Sequence, residues 1–148
     1  MSQLNQHRAA WLKAISVLLA LTAFVSACAS RPDGPQIVSV ELTSYAIKPS
    51  VTTVKAGEVI FRVTNKASDV QHEFLVVDTD KAAEALPYDS AEGVVPEDEI
   101  NLLGEVAELD PGKSGELKLT LKPGKYLLMC NIPTHFKLGM ALPFTVTQ

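Results

Sequence analysis

The hydrophobic pattern of the chain changes at residue 37. From there onward, short runs alternate apolar and polar residues at every second position, and turns with glycine or proline separate several of them. A period of two is typical of β-strands, because successive side chains point to opposite faces of a sheet. The predicted strands are 37–42, 51–54, 59–65, 72–78, 117–121, 126–130 and 141–146.

The turn signals stand at 55–58, 110–113 and 122–125. The run 72–78 holds four consecutive apolar residues, which predicts a strand that is buried on both faces. Seven or eight short strands at this spacing are typical of a β-sandwich, so we expect an all-β domain.

An acidic segment, 79–104, interrupts the strand pattern. Residues 81–86 predict one or two helical turns, which Pro87 would end because proline cannot continue a helix. Eight of the 17 acidic residues lie between positions 78 and 99. Two interpretations stay open: a solvated insertion, or an acidic face that docks a basic partner protein and makes the association salt-sensitive.

The first 27 residues have the composition of a secretory signal. Arg8 and Lys13 are their only charged side chains, and a largely apolar run, 14–25, follows. Such a run is too short to form a stable membrane-spanning helix. We therefore predict that residues 1–27 are a signal peptide and are absent from the mature protein.

The end of this segment, Val25-Ser26-Ala27-Cys28, resembles the bacterial lipobox. The resemblance implies a diacylglycerol group on Cys28, with 28–36 as a flexible tether and 37–148 as the folded domain. It also implies a protein anchored in the bacterial cell envelope, facing the periplasm or the exterior. Ala29 favours the outer membrane where there are two membranes. An ordinary signal peptide with a chance cysteine and an uncleaved anchor remain as alternatives.

Length, charge and cysteine count narrow the classes of function. The 148 residues suit one domain, which we expect to be monomeric, and the formal charge is −4. Without residues 1–27 the chain keeps 11 basic and 17 acidic side chains, a balance of −6 that disfavours nucleic acid as a partner. Because Cys28 and Cys130 are the two cysteines, a disulfide-rich fold and a four-cysteine zinc site are excluded.

Cys130, His135 and Met140 follow one another at intervals of five residues on one predicted loop between the last two strands. Thiolate and imidazole suit copper in both oxidation states, and a thioether suits a long axial bond. The second histidine that such a site needs is His72, because His7 belongs to the signal. Each residue alone is more often part of a core, so the prediction of one copper ion rests on their combination.

With these four ligands, residues 37–148 resemble the cupredoxins, the family of plastocyanin, amicyanin and azurin. The gap Cys-x4-His, with a proline third after the cysteine, is similar to azurin, and the gap His-x4-Met is similar to plastocyanin. The resemblance implies a Greek-key β-sandwich of seven or eight strands with the acidic, partly helical segment 79–104 as an insertion. It also implies one type 1 copper ion and the transfer of single electrons.

Three residues beside the ligands carry further expectations from the resemblance. Glu73 stands where other members have an asparagine that ties the two ligand loops together, so it either ties them differently or faces solvent. The backbone N–H of Ile132 is expected to point at the Cys130 sulfur, and Asn131 is expected beside the same ligand.

His135 is expected to be the exit for electrons, because in the family the edge of this ring reaches the surface. The apolar residues expected around it are Pro133, Phe136 and Leu138, with Pro143 as a further candidate. Such a small patch suits brief encounters with redox proteins. The alternative is that these side chains pack the loop against the end of the sandwich.

These observations predict an electron carrier and not an enzyme. Four protein ligands leave no position for a substrate, and the mature chain has only two histidines, too few for a second copper site. The expected partners are a cytochrome, a respiratory complex or a copper enzyme, and the membrane through the lipid anchor. A periplasmic copper-delivery protein of the same fold is the alternative function.

Overall fold

The structure is a computed structural model that describes residues 34–148. The predicted signal peptide, Cys28 and most of the tether lie outside the described residues. Within the described range, no helix has the length and hydrophobicity to cross a membrane. Nine β-strands form two sheets in this range. The strands are β1 (Gln36–Thr43), β2 (Ala46–Pro49), β3 (Thr53–Lys55), β4 (Gly57–Asn65), β5 (His72–Asp78), β6 (Leu102–Leu109), β7 (Ser114–Leu121), β8 (Gly124–Met129) and β9 (Ala141–Thr147).

The first sheet has the strand order β2-β1-β4-β7, and the second has the order β3-β9-β8-β5-β6. The pairs β1–β4 and β3–β9 are parallel, and the other neighbouring pairs are antiparallel. Neighbours within a sheet are therefore often distant in the chain, as in Greek-key sandwiches. The predicted all-β fold is confirmed.

Strands β2 and β6 differ from the sequence prediction, in which seven runs lead to seven or eight strands. β2 has four residues, of which only Ile47 is buried, so its alternation is too short to stand out. β6 carries Gly104 and Glu105 and has Val106 as its only buried residue. Because β6 begins at Leu102, the insertion ends at residue 101 and not at 104.

The main core lies between the two sheets, where alternate residues of facing strands meet. The Phe61 ring of β4 packs against Phe74 of β5 and Phe144 of β9, with ring centroids 5.3 and 5.6 Å apart. Other fully buried members of this core are Val38, Val40, Leu42, Val59, Val63, Val76 and Leu128.

The insertion covers the outer face of the second sheet and forms a second core there. Leu86 and Val95 of the insertion pack with Phe136 onto side chains of β5 and β8. Leu75 and Val77 of β5 belong to this second core, which confirms that the strand is buried on both faces. The helical part of the insertion consists of two short 3₁₀ turns, Ala83–Ala85 and Glu97–Glu99. The insertion is thus part of the fold, and most of its acidic side chains are exposed to solvent.

The two poles of the sandwich have different contents. The described chain begins at one pole, where Gln36 pairs with Val59 and Gly57 pairs with Leu121. The opposite pole holds the start of β5, the end of β8, the start of β9 and the turn between β1 and β2. All four predicted copper ligands lie at this opposite pole, which we call the ligand pole.

Candidate metal centre

The ends of three strands position the four predicted ligands. His72 is the first residue of β5, and Cys130 directly follows β8. His135 lies on the loop 130–140, and Met140 directly precedes β9. All four are buried, with exposed fractions of 0% for His72, Cys130 and Met140 and 8% for His135. His72 and Met140, which are 68 positions apart in the chain, thus lie in the same buried cluster because β5 and β8 are neighbouring strands.

The donor atoms of the thiol and the two imidazoles form one cluster. The Cys130 Sγ atom lies 3.5 Å from His135 Nδ1 and 3.9 Å from His72 Nδ1. The three ligand atoms all lie within 4.8 Å of one another. Donor atoms that share an ion at about 2.0–2.3 Å are roughly 3.3–4 Å apart, so the spacing fits one bound metal ion.

Backbone hydrogen bonds close the loop 130–140 and bring Met140 to the same cluster. The Cys130 N–H donates to the Met140 carbonyl at 3.1 Å, and the Met140 N–H donates to the His135 carbonyl at 3.1 Å. Gly139 has a φ of 105°, a conformation that residues with a Cβ rarely adopt. The four side chains His72, Cys130, His135 and Met140 are therefore arranged as a type 1 copper site.

A family model described as the cupredoxin-like domain matches residues 15–140 of the chain. The chain belongs to the cupredoxins. The match covers most of the described residues and part of the predicted signal peptide, and it ends at the fourth ligand.

Solved auracyanin structures are similar to this cupredoxin. Auracyanin B is 30% identical, with a TM-score of 0.59 over 76% of this chain and 89% of that one. Auracyanin A from Chloroflexus aurantiacus, described as a "blue" copper protein, is 27% identical, with a TM-score of 0.58 over 77% of this chain and 100% of its own. The reduced auracyanin of Roseiflexus castenholzii, at 23% identity and a TM-score of 0.61 over 76% and 98% of the two chains, shares the fold. No curated protein sequence matched the chain.

The protonation states of this cupredoxin's ligands suit a metal that displaces one proton. Burial raises the pKa of the Cys130 thiol to about 11, which the backbone N–H groups of Glu73 and Ile132 partly offset because they favour the thiolate. Burial lowers the pKa of His72, with a further contribution from His135, and burial lowers the pKa of His135. The imidazoles are thus neutral ligands, and a cation that binds here must take the proton's place on the sulfur.

His72 also has a ring nitrogen that the described residues leave without a partner. Its Nε2 is buried and has no hydrogen bond within that range. A buried polar atom without a partner is costly and needs a functional reason. The imidazole is therefore placed for its Nδ1, which faces Cys130, and the donor set fits copper because thiolate, imidazole and thioether are its preferred ligands.

Asn65 shapes the loop that leads into His72, and the sequence prediction missed it. The Asn65 Nδ2 donates to the carbonyls of Val70 and Leu109, both at 2.8 Å. Its Oδ1 accepts from the Ala67 N–H at 2.9 Å. Because the side chain is fully buried, these bonds fix the approach of the chain to β5. The only signal in the sequence is that a polar residue stands on the buried face of β4, in line with Val59, Phe61 and Val63.

Glu73 ties the two ligand segments together, which answers the question that its sequence position raised. Its Oε1 accepts a hydrogen bond from the Asn131 N–H at 2.8 Å, so it joins the residue after His72 to the residue after Cys130. Burial raises the pKa of Glu73 to about 7. The Asn131 N–H opposes this rise, and the carboxylates of Glu97, Glu105 and Glu108 add to it.

The surface around His135 differs from the predicted patch in one residue. Pro133, Leu138 and Pro143 are exposed, and Leu138 has 52% of its surface free. The prediction is wrong for Phe136, which is 5% exposed because its ring packs into the second core. That side chain stabilises the loop and does not form the surface.

Tyr45 takes part in the surface beside His135, and the sequence analysis missed it. The two rings meet edge to face, with centroids 5.3 Å apart and an angle of 89° between planes. Tyr45 lies in the turn between β1 and β2, is 42% exposed and has a φ of 60°. Nothing in the residue pattern marks this tyrosine, because the contact joins segments that are 90 positions apart.

We predict that Glu73→Ala unfolds more easily than Glu73→Gln. Both variants remove the carboxylate charge, but only glutamine keeps an oxygen that can accept the Asn131 N–H. The difference in free energy of unfolding should be about 1 kcal/mol, the usual net value of one hydrogen bond. Denaturant unfolding of the metal-free protein measures it. Equal stability of the two variants would contradict this role of Glu73.

Proposed function

We propose that this cupredoxin carries single electrons between redox proteins through one copper ion held by His72, Cys130, His135 and Met140. The observation that carries the proposal is the buried cluster of a thiol and two imidazoles, with donor atoms within 4.8 Å of one another. Auracyanin A, which is described as a "blue" copper protein, supports it at 27% identity over that whole chain.

The ligands' surroundings favour electron transfer over bond chemistry. A copper ion in this site would supply one electron at a time by alternating between Cu(II) and Cu(I). The hydrogen bonds at Cys130 and Met140 hold the donor atoms in one arrangement, so little reorganisation is needed. Four protein ligands leave no position for a substrate, which distinguishes such a site from a catalytic metal site. We therefore propose a carrier and not an enzyme.

Electrons would enter and leave through His135, whose ring is the ligand with the largest exposed fraction, 8%. Tyr45 and Leu138 place apolar surface beside it. A small patch of this kind suits weak, brief complexes with a cytochrome, a respiratory complex or a copper enzyme. Exposed carboxylates of the insertion, such as Glu84 and Glu92, would attract a basic partner and speed its association.

Copper delivery is the other function expected for this fold. A delivery protein must release its ion to a recipient, which requires ligands that a recipient can reach. The burial of Cys130, His72 and Met140 opposes such an exchange. We therefore rank electron transfer first.

The copper-loaded protein should be intensely blue and lose the colour on reduction, because thiolate-to-Cu(II) charge transfer absorbs strongly. Cys130→Ser should abolish the blue absorption, since a hydroxyl group cannot supply this transition. Visible and EPR spectra of both proteins measure the effect. A blue Cys130→Ser variant would show that another residue supplies the sulfur or that the site is elsewhere.

Voltammetry of the same preparation then separates carrier from delivery protein. A carrier gives reversible one-electron waves and keeps its copper in the presence of a chelator. Rapid loss of copper to the chelator, without reversible cycling, would favour delivery.

We propose in addition that Cys28 carries a lipid and holds the protein at the envelope membrane, in line with the lipobox resemblance. The described chain begins at the pole opposite the ligand pole, so a tether from that end would leave His135 facing away from the bilayer. An anchor at the ligand pole would instead obstruct the approach of redox partners to His135.

Cys28→Ser should release the protein from the membrane fraction of expressing cells, because the thioether-linked lipid can no longer form. Cys130→Ser is the matched control and should stay with the membrane. Immunodetection in membrane and soluble fractions measures both. Unchanged membrane association of Cys28→Ser would refute the lipid anchor.

A further inference from the structure

The side-chain amide of Asn131, directly after the ligand Cys130, is hydrogen-bonded to the acidic insertion. Its Oδ1 accepts from the Val95 N–H at 2.8 Å, and its Nδ2 donates to the Val95 carbonyl at 2.9 Å. The same Nδ2 also donates to Glu97 Oε1 at 3.2 Å. The amide therefore pairs with both backbone groups of a residue 36 positions away, as a neighbouring strand would. Asn131 is 6% exposed and Val95 is 0% exposed, so these bonds are shielded from water.

A second contact joins the insertion to the middle of the ligand loop. The Thr134 N–H, one residue before the ligand His135, donates to the Gly93 carbonyl at 2.8 Å. Gly93 has a φ of 77°, and a Cβ at this position would lie 3.2 Å from the Thr134 nitrogen. A residue with a Cβ would be strained in this backbone conformation and would press on the Thr134 nitrogen. Asp89 and Val94 form an antiparallel bridge that holds this turn in place.

A third contact is apolar and lies just beyond His135. The Tyr88 ring stacks on Phe136, with centroids 6.2 Å apart and planes 23° apart. Lys137 Nζ lies 4.5 Å from the centre of the Tyr88 ring. We call residues 88–97, which make all three kinds of contact, the brace.

We propose that the brace sets the geometry of the copper site, with Asn131 as the positioning residue that transmits it to Cys130. This inference rests on the proposed function. Asn131 belongs to three connections at once: its peptide bond to Cys130, its N–H to Glu73 beside His72, and its amide to Val95. The direction of the peptide that follows the thiolate ligand is thereby fixed from two sides.

The loop 130–140 depends on this support. Apart from the bonds that close its own base and turns and the contacts of the Cys130 sulfur with His72 and the Glu73 N–H, the hydrogen bonds from this loop to the rest of the described chain are those of Asn131 and Thr134. Loss of the Asn131 amide would remove the hydrogen bonds that connect the residue after Cys130 to the insertion, so the peptide between Cys130 and Asn131 would be less constrained. Partners that orient a metal ligand typically change metal affinity by about 10–100-fold when they are removed.

The test compares Asn131→Ala with wild type in the full-length protein. Asn101→Ala is the matched control, because Asn101 lies in the same insertion and bonds to Asp78 Oδ2, but it is exposed and away from the ligand loop. Copper affinity is measured by competition with a chelator, and the visible and EPR spectra report the geometry at the sulfur. Hydrogen exchange at the Val95 and Thr134 amides of the copper-free protein reports the contacts themselves.

We expect Asn131→Ala to bind copper roughly 10–100-fold more weakly. Its charge-transfer bands and EPR splitting should also shift, and both amides should exchange faster. Asn101→Ala should match wild type in every readout. Gly93→Ala, which alters the brace but no residue of the ligand loop, should change the spectrum in the same way. It also serves as the test variant if Asn131→Ala does not fold.

Two outcomes would overturn the inference and are distinguishable. A blue wild-type protein together with variants at positions 131 and 93 that keep its spectrum and copper affinity would refute the brace and leave the proposed function intact. A copper-loaded wild-type protein that is not blue would refute the proposed function, and the inference would fall with it.

Discussion

One hydrogen bond at the base of the ligand loop supports the whole site. The strands β8 and β9 pair as far as Met129 and Ala141, and the bond from the Cys130 N–H to the Met140 carbonyl continues this ladder by one step. Two ligands are thus placed by the ends of a strand pair, and the Met140 N–H places His135 in turn. A loop closed at its base has few conformations. Formation of the sheet therefore already includes most of the loss of chain entropy that bringing the donor atoms together requires.

Buried polarity within residues 34–148 is concentrated at this one pole of the sandwich. The buried polar side chains are His72, His135, Asn65 and Asn131. Two of them are ligands, and the other two shape the segments that carry His72 and Cys130. The core between the sheets is otherwise apolar and tightly packed, which gives a rigid frame. The buried polar groups, which are costly to desolvate, thus lie where a bound metal ion would interact with them or with the segments that they hold.

The fold and the four ligands could be predicted from the sequence because both depend on local signals. The alternation of apolar and polar residues indicates most of the strands. The cysteine, the two histidines and the methionine that suit copper stand at the ends of these strands. The burial of Phe136 could not be predicted, because an aromatic residue after His135 looks the same whether it meets solvent or an insertion. The contacts of Tyr45 with His135 and of Val95 with Asn131 could not be predicted either. They join residues that are 90 and 36 positions apart in the chain. Only the folded chain shows that the acidic insertion supports the ligand loop.

Crystal structures of the copper-loaded protein in the oxidised and reduced states would show whether these four residues form a preorganised copper site. We expect one copper ion among His72 Nδ1, Cys130 Sγ and His135 Nδ1, with Met140 beside it. We also expect the ligand atoms to keep their positions to within about 0.5 Å between the two states, the tolerance of a preorganised site. Copper bound elsewhere, or a loop 130–140 that rearranges with oxidation state, would refute a preorganised site at these residues.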